Sequence, residues 1–297
     1  MFNYENFKSE IFFIDAANFE SSALDVFQYQ FHNNIIYNHF CLNLNKHPDN
    51  VTKVTDIPFL PIEFFKTKKV VSGTFKSEKI FKSSGTTGME RSRHYVKDLS
   101  FYHHLAQRAF ETRYGKLADY EILALLPSYQ EQGDSSLISM IDSFMSLSKP
   151  ESSYYLDNRE QLNIHLKGPG KKLLFGVSYA LLDLIESSNV ETRDLLVFET
   201  GGMKGRKKEM IREELHSQLN KGLGIKVIHS EYGMTELTSQ AYGEGGFFSF
   251  PEWCRVLIRD TNDPFSYLAS GKSGGINIID LGNIDSCSFI ETKDLGK

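Results

Sequence analysis

Ser83-Ser84-Gly85-Thr86-Thr87-Gly88 puts two serines, two glycines and two threonines in one run. Such a run suits neither helix nor strand and builds a loop dense in backbone N–H and hydroxyl donors. Successive N–H groups in a turn form a concave nest that holds an anion, and a polyphosphate is the natural guest. A solvated linker of the same composition is the alternative. Tyr232-Gly233-Met234-Thr235-Glu236 follows a predicted strand ending in His229-Ser230. It offers a ring to stack on a purine, a hydroxyl for a phosphate oxygen and a carboxylate for magnesium. Alone, it would serve equally as a helix-capping turn.

Three further groups are weaker. Gly176-Val177-Ser178-Tyr179-Ala180 is close to the Gly-x-Ser-x-Gly nucleophile elbow of serine hydrolases, with His229 or His165 as base. Ser178 is equally an ordinary helix N-cap. Gly271-Lys272-Ser273 imitates the end of a Walker loop, but Ser266 stands where the first glycine is needed, so a solvated turn is expected. Met89 stands where a Walker lysine would follow Gly88. Cys41, Cys254 and Cys287 are too far apart for a disulfide framework or metal cluster, and read as small buried hydrophobes.

The elements that must position these residues alternate. An amphipathic helix is expected from Ser21–Ser22 through Leu24, Phe27, Phe31, Ile35 and Phe40. Pro58 and Pro61 force an extended segment. Lys69–Ser72, Glu78–Lys82 and Ser92–Val96 read as short strands, and Asp98 caps a helix that Gly115 ends. Strands at Tyr120–Leu126, Lys172–Phe175, Leu195–Thr200 and Lys226–Ser230 then alternate with helices at Ser135–Ser146, Tyr179–Glu186 and Lys207–Leu219. That order predicts an α/β protein with mostly parallel sheets flanked by helices. Cys254–Arg259, Gly275–Asp280 and Ser286–Thr292 add a small antiparallel subregion near the C-terminus. The division expected is an α/β core over 1–246 and a β-rich stretch over 247–297.

A chain of 297 residues and net charge −5, with Lys and Arg dispersed, has no basic stripe for nucleic acid. No apolar run approaches a membrane span and no leader pattern opens the chain, so a cytoplasmic protein is expected.

The Ser-Gly-Thr-Thr-Gly run, Tyr-Gly-x-Thr-Glu and Thr292-Lys293-Asp294, in that order, resemble the adenylate-forming superfamily of acyl-CoA synthetases, peptide-synthetase adenylation domains and luciferases. Ile57–Lys66, Leu126–Tyr129 and Gly201–Arg206 further resemble the bioluminescence-type acyl-protein synthetases, the long-chain-fatty-acid–protein ligases. The resemblance implies the large N-terminal domain of an adenylate-forming enzyme. It activates a fatty or other carboxylic acid as acyl-AMP with ATP and Mg²⁺, then passes the acyl group to a thiol of a protein or CoA. A reductase or transferase partner is implied with it. Ser83, Ser84, Gly85, Thr86, Thr87 and Gly88 would cradle the phosphates, and Tyr232 and Gly233, with Gly201 and Gly202, the purine. Thr235 would meet the α-phosphate, Glu236 the magnesium and Asp294 the ribose, with Thr235 and Glu236 the catalytic pair.

The chain departs from the pattern in two ways. Lys293 replaces a glycine, and Met89-Glu90-Arg91 replaces the usual Pro-Lys-Gly continuation; Arg91 or Arg93 supplies the missing charge, or both lie on the surface. The superfamily's mobile C-terminal domain, with its lysine and the acceptor cysteine of the acyl-protein synthetases, is expected beyond Lys297. Tyr129, Gln130, Gln132, Gly133 and Asp134 are an acyl-pocket mouth or an ordinary polar loop. The other readings are an acyl- or aryl-CoA ligase, a non-catalytic nucleotide-binding module, and a serine hydrolase using Ser178.

Overall fold

The computed structural model describes residues 3–84, 90–127, 133–187, 194–201 and 210–297. In chain order come α1 (Tyr4–Glu10), α2 (Phe19–Asn33), α3 (Ile35–Asn43), β1 (Leu60–Pro61), α4 (Phe64–Thr67), β2 (Lys79–Lys82), β3 (Arg93–Val96) and α5 (Leu99–Tyr114). Next are β4 (Glu121–Leu125), α6 (Ser136–Leu147), β5 (Ser153–Tyr154), α7 (Arg159–Lys167), β6 (Lys172–Val177), α8 (Ser178–Ser187) and β7 (Leu195–Thr200). The chain closes with α9 (Arg212–Leu223), β8 (His229–Tyr232), β9 (Ala241–Glu244), β10 (Phe247–Ser249), β11 (Cys254–Arg259), β12 (Gly274–Asp280) and β13 (Phe289–Gly296). Contacts divide the chain into two units, one of Met1–Leu105, Met234–Ser239 and Phe250–Lys297, the other of Ala106–Gly233 and Gln240–Ser249.

The first unit carries a four-stranded sheet in the order β1-β13-β12-β11 and the separate β2–β3 hairpin. β11, β12 and β13 are antiparallel, as expected of the C-terminal stretch, while β1 joins β13 in parallel through Leu60–Ile290 and Pro61–Glu291. Helix α2 packs Phe27 edge-on against Phe289, 6.3 Å away, and Tyr37 of α3 stacks on the same ring at 5.9 Å. The single long helix expected from Ser21 past Phe40 is two helices. Asn34 takes an extended conformation, caps α3 by accepting Tyr37 N–H at 3.0 Å, and donates from its buried amide to Ser286 O at 2.8 Å. Lys69–Ser72 is not a strand; its backbone bonds the 285–286 turn, Ser72 N–H to Asp285 O and Ser286 Oγ to Val70 O. Asp98 caps α5 as expected, accepting Phe101 N–H at 2.9 Å, and Gly115 ends it at φ +88°.

The second unit is a seven-stranded sheet in the order β10-β9-β8-β7-β6-β4-β5. β5, β4, β6, β7 and β8 are parallel; β9 and β10 add an antiparallel edge that sequence patterning did not forecast. β4 and β6 are buried along their whole length, as parallel strands covered on both faces should be. Phe175 and Phe198 stack at 4.8 Å in neighbouring strands, with Phe110, Phe144 and Tyr242 around them. The fully buried Lys172 is solvated by carbonyls: its amine donates to Gly168, Pro169 and Gly170 just past the end of α7. Strand order turns back between β4 and β6, so the carboxyl ends of β6, β7 and β8 face the crevice where parallel sheets place their ligands.

Candidate functional site

In the first unit the site is built on the β2–β3 hairpin. Ser83 closes its neck: Ser83 N–H donates to Ser92 O at 3.1 Å and Ser92 N–H to Ser83 Oγ at 3.0 Å. Ser84 follows on the loop, and Gly85, Thr86, Thr87 and Gly88 lie outside the described residues. Arg91 reaches back across this neck, donating to Ser83 O at 2.5 Å and Lys82 O at 3.4 Å. Arg93 donates to Lys66 O at 3.2 Å.

β3 and the residue before it then deliver two side chains, His94 and Ser92, to the Tyr-Gly-x-Thr-Glu segment. His94, 3% exposed, donates from Nδ1 to Thr235 O at 2.8 Å, which fixes the neutral ring in its Nδ1–H form. Burial holds the His94 pKa down at about 4, so the ring is neutral at physiological pH. Ser92 hydrogen-bonds the Glu236 carboxylate. Burial pushes the Glu236 pKa up, against the pull of the Ser92 bond and the Lys66 charge. From the opposite side Asn283 donates to Glu236 O at 2.7 Å and accepts Thr238 Oγ1–H at 2.9 Å. Asp280, fully buried, receives Thr238 N–H, Ser239 N–H and Ser239 Oγ–H at 2.7–2.9 Å.

In the second unit the carboxyl ends of the parallel strands collect a buried polar set. Glu199 of β7 lies 2.7 Å from Ser178 Oγ and 3.3 Å from Ser230 Oγ, with the His216 ring at 3.8 Å. Glu231 of β8 accepts Thr200 Oγ1–H at 2.9 Å. Desolvation outweighs that bond, and the neighbouring Glu199 charge adds to it, so the Glu231 carboxyl is pushed up to about 7. Gly201 has φ +70° and offers its carbonyl to Ser178 at 2.8 Å; Gly202 lies outside the described residues. A Cβ on Gly233 would stand 2.5 Å from Glu231 Oε1, so a side chain there would displace that carboxylate. Tyr232 holds its ring 5.6 Å from that of Phe248.

The chain crosses from the second unit to the first within the Tyr232–Glu236 segment, between Gly233 and Met234. Asp294 lies exposed on β13, its N–H bonded to Thr292 Oγ1 at 3.2 Å, where sequence patterning had ended the strand at Thr292. Tyr129, Gln130 and Gln132 lie outside the described residues.

The serine-hydrolase reading fails on geometry. Ser178 is 2% exposed and hydrogen-bonds a carboxylate and a carbonyl. The two histidines proposed as its base are engaged elsewhere, His229 with Tyr114 and His165 with Glu121. All three cysteines are buried, and burial raises the pKa of each, which removes the thiolate that reactivity needs. Among the described residues no trio of His, Cys, Asp or Glu forms a metal cage, and no helix is long and apolar enough to cross a membrane. The turn expected at 271–273 runs over residues 269–272, closed by Lys272 N–H to Ala269 O at 3.2 Å, with Gly271 at φ +84°.

Sequence reasoning did not single out Ser92, His94, Glu199, Thr200, Asp280 and Asn283. Position offered one signal: Ser92 and His94 alternate on the strand leaving the Ser/Gly/Thr loop, and Glu199-Thr200 ends a buried strand before a Gly-Gly turn.

Known proteins resemble this chain in sequence and in fold. The family model described as Acyl-protein synthetase, LuxE matches residues 15–112. A long-chain-fatty-acid–luciferin-component ligase of Photorhabdus luminescens is 37% identical over 69 residues, covering 23% of this chain and 59% of that protein. A 2-hydroxyisobutyryl-CoA ligase, solved in an open conformation with 2-HIB-AMP and CoA, superposes with a TM-score of 0.70 over 97% of this chain and 71% of its own, at 12% identity. ATP-bound MatB from Rhodopseudomonas palustris gives 0.53 over 73% of this chain and 45% of its own, at 17% identity. The chain thus resembles the acyl-protein synthetases in sequence across its first third, and over nearly its whole length it has the fold of the adenylate-forming ligases.

Proposed function

We propose that the chain activates a carboxylic acid, a long-chain fatty acid first among them, as its acyl-adenylate and passes the acyl group to a protein thiol. The observation that carries this reading is the seat of Thr235 and Glu236 against β3, the strand that leaves the Ser/Gly/Thr loop. β3 and residues 234–236, each continuous in sequence with a segment suited to phosphate, belong to one unit. In the first step a carboxylate oxygen attacks the α-phosphorus of ATP; the new C(O)–O–P bond forms as the α–β bridge breaks, and pyrophosphate leaves. In the second, a thiolate attacks the acyl carbon and AMP departs.

Both reactants of the first step are anions, so charge must be offset and the attack held in line. Ser83, Ser84 and the 85–88 run cradle the β- and γ-phosphates; Thr235 bonds the α-phosphate. Tyr232, Gly233, Gly201 and Gly202 receive the purine, and Asp294 the ribose hydroxyls. Glu236 fits magnesium, being a buried carboxylate offset only in part by Ser92 and Lys66. Magnesium is usually held by one or two carboxylates together with substrate phosphates and water, and Glu236 would supply one of them. When bound there, magnesium would supply positive charge to the phosphates. Arg91 and Arg93 are tied to backbone carbonyls, Arg91 at the neck of the loop, where its charge borders the phosphate cradle.

Carboxylate-dependent ATP–pyrophosphate exchange tests the first step. Exchange that rises with chain length of the acid supports the reading; ATP binding with no exchange for any acid of a two- to eighteen-carbon panel replaces it with a nucleotide-binding module. The fold of the CoA ligases keeps CoA as a second acceptor. Acyl-CoA formation exceeding protein acylation would move the chain to that class.

A further inference from the structure

The segment between β8 and β9 is neither helix nor strand. Its own turn bond, Leu237 N–H to Met234 O at 3.1 Å, leaves the carbonyls of Thr235 and Glu236 to side chains. Buried backbone carbonyls need partners, and here two successive ones are met by two different side chains. His94 Nδ1–H takes Thr235 O at 2.8 Å; Asn283 Nδ2–H takes Glu236 O at 2.7 Å and, with its other hydrogen, Cys287 O at 2.9 Å. Both side chains are almost fully buried, at 3% and 1% exposure, and Asn283 is also a hydrogen-bond neighbour of His94. His94 is two residues from Ser92, the residue that closes the loop neck and bonds Glu236.

We propose that His94 and Asn283 are a positioning clamp: they hold the peptide units of Thr235 and Glu236 so that the hydroxyl and carboxylate meet the phosphates and their magnesium. This rests on the ligase reading above. Neither side chain touches substrate; each acts through a main-chain carbonyl. A donor at the right atom is what the clamp needs, and the test isolates it. His94→Asn keeps an N–H donor near the Nδ1 position, whereas His94→Leu keeps an apolar body beside Phe65 and removes the donor. Asn283→Ser keeps a polar atom too short to reach Glu236 O.

The measurement is ATP affinity of the whole chain by calorimetry, with and without magnesium. Wild type and His94→Asn should gain at least about tenfold in affinity from magnesium. His94→Leu and Asn283→Ser should lose most of that gain. If His94→Leu does not fold, Asn283→Ser decides alone. A full magnesium gain in both variants overturns the clamp and leaves the ligase reading standing, as does His94→Asn failing as badly as His94→Leu. A wild type whose ATP affinity ignores magnesium overturns the role of Glu236, and both readings fall together.

Discussion

Glu199 and Glu231 end adjacent strands, yet their surroundings differ. Glu199 is met by Ser178, Ser230 and the His216 ring, whereas Glu231 has Thr200 and the repulsion of Glu199. With its carboxyl pushed up to about 7 from an ordinary 4.5, the folded chain holds a proton there that the unfolded chain has released. The stabilisation from that retained proton is fully present below pH 4.5 and is lost as pH rises to about 7. Glu231→Gln keeps the acceptor for Thr200 and cannot ionise. Its urea midpoint should therefore gain on wild type between pH 5 and pH 8; an unchanged difference would rule out a proton on Glu231. Glu236→Gln is expected to lower magnesium-dependent exchange by at least about a hundredfold, the scale of losing one preorganised transition-state charge contact. Acid binding should change little, and a variant of wild-type rate would remove Glu236 from the magnesium site. The types and spacing of Tyr232–Glu236 made that carboxylate legible from sequence. Glu231 stood in the same stretch and was not, because its chemistry comes from Glu199 and Thr200, which only strand pairing brings alongside.

Among the elements, the break between α2 and α3 has the clearest cause. Apolar residues continue at helical spacing from Leu24 to Phe40, so periodicity predicts no interruption, and Asn34 is no helix breaker of proline's kind. The interruption comes from Ser286, 252 residues away, whose carbonyl takes the Asn34 amide while its Oδ1 caps α3. A local pattern cannot carry that partner. Asn34→Ala removes an N-cap and one donor to the buried Ser286 carbonyl, which Ser72 also serves, and should cost about 1–2 kcal/mol in urea unfolding. A loss under about 0.5 kcal/mol would show that the break has another origin. The β9–β10 edge escaped for the opposite reason: Gly243, Gly245 and Gly246 mask a strand pair that exists because β8 needs an edge partner. The buried parallel strands were legible because burial on both faces leaves a continuous apolar run with turn residues at each end. The same holds of the Asp98 cap and Gly115, whose chemistry is local.

At the scale of the whole molecule, each unit is discontinuous in sequence, and the chain passes between them at 105–106, 233–234, 239–240 and 249–250. The first unit depends on its C-terminal stretch as an integral part. β1 pairs only with β13 in the sheet order, Gln30 donates to the carbonyls of Asn283 and Ile284 at 3.0 Å and accepts Ser288 N–H at 2.9 Å, and the Phe27, Tyr37 and Phe59 rings close on Phe289. Cutting before Phe250 would strip β11–β13 and deprive Gln30 and the Asn34 amide of their long-range partners, on top of the lost apolar contacts. Each such group costs on the order of 1–3 kcal/mol, and a small domain's whole stability is about 5–15 kcal/mol. A chain of residues 1–249 should therefore lack a cooperative urea transition for its first unit, and residues 250–297 supplied as a separate peptide should restore it. Hydrogen exchange resolves the two units: amides of α2 and α3 should exchange freely in the shortened chain and regain protection on adding the peptide. Protection of α2 and α3 in residues 1–249 alone would mean that the helices find their core without β13, and that the long-range bonds of Gln30 and Asn34 follow folding of this unit instead of specifying it.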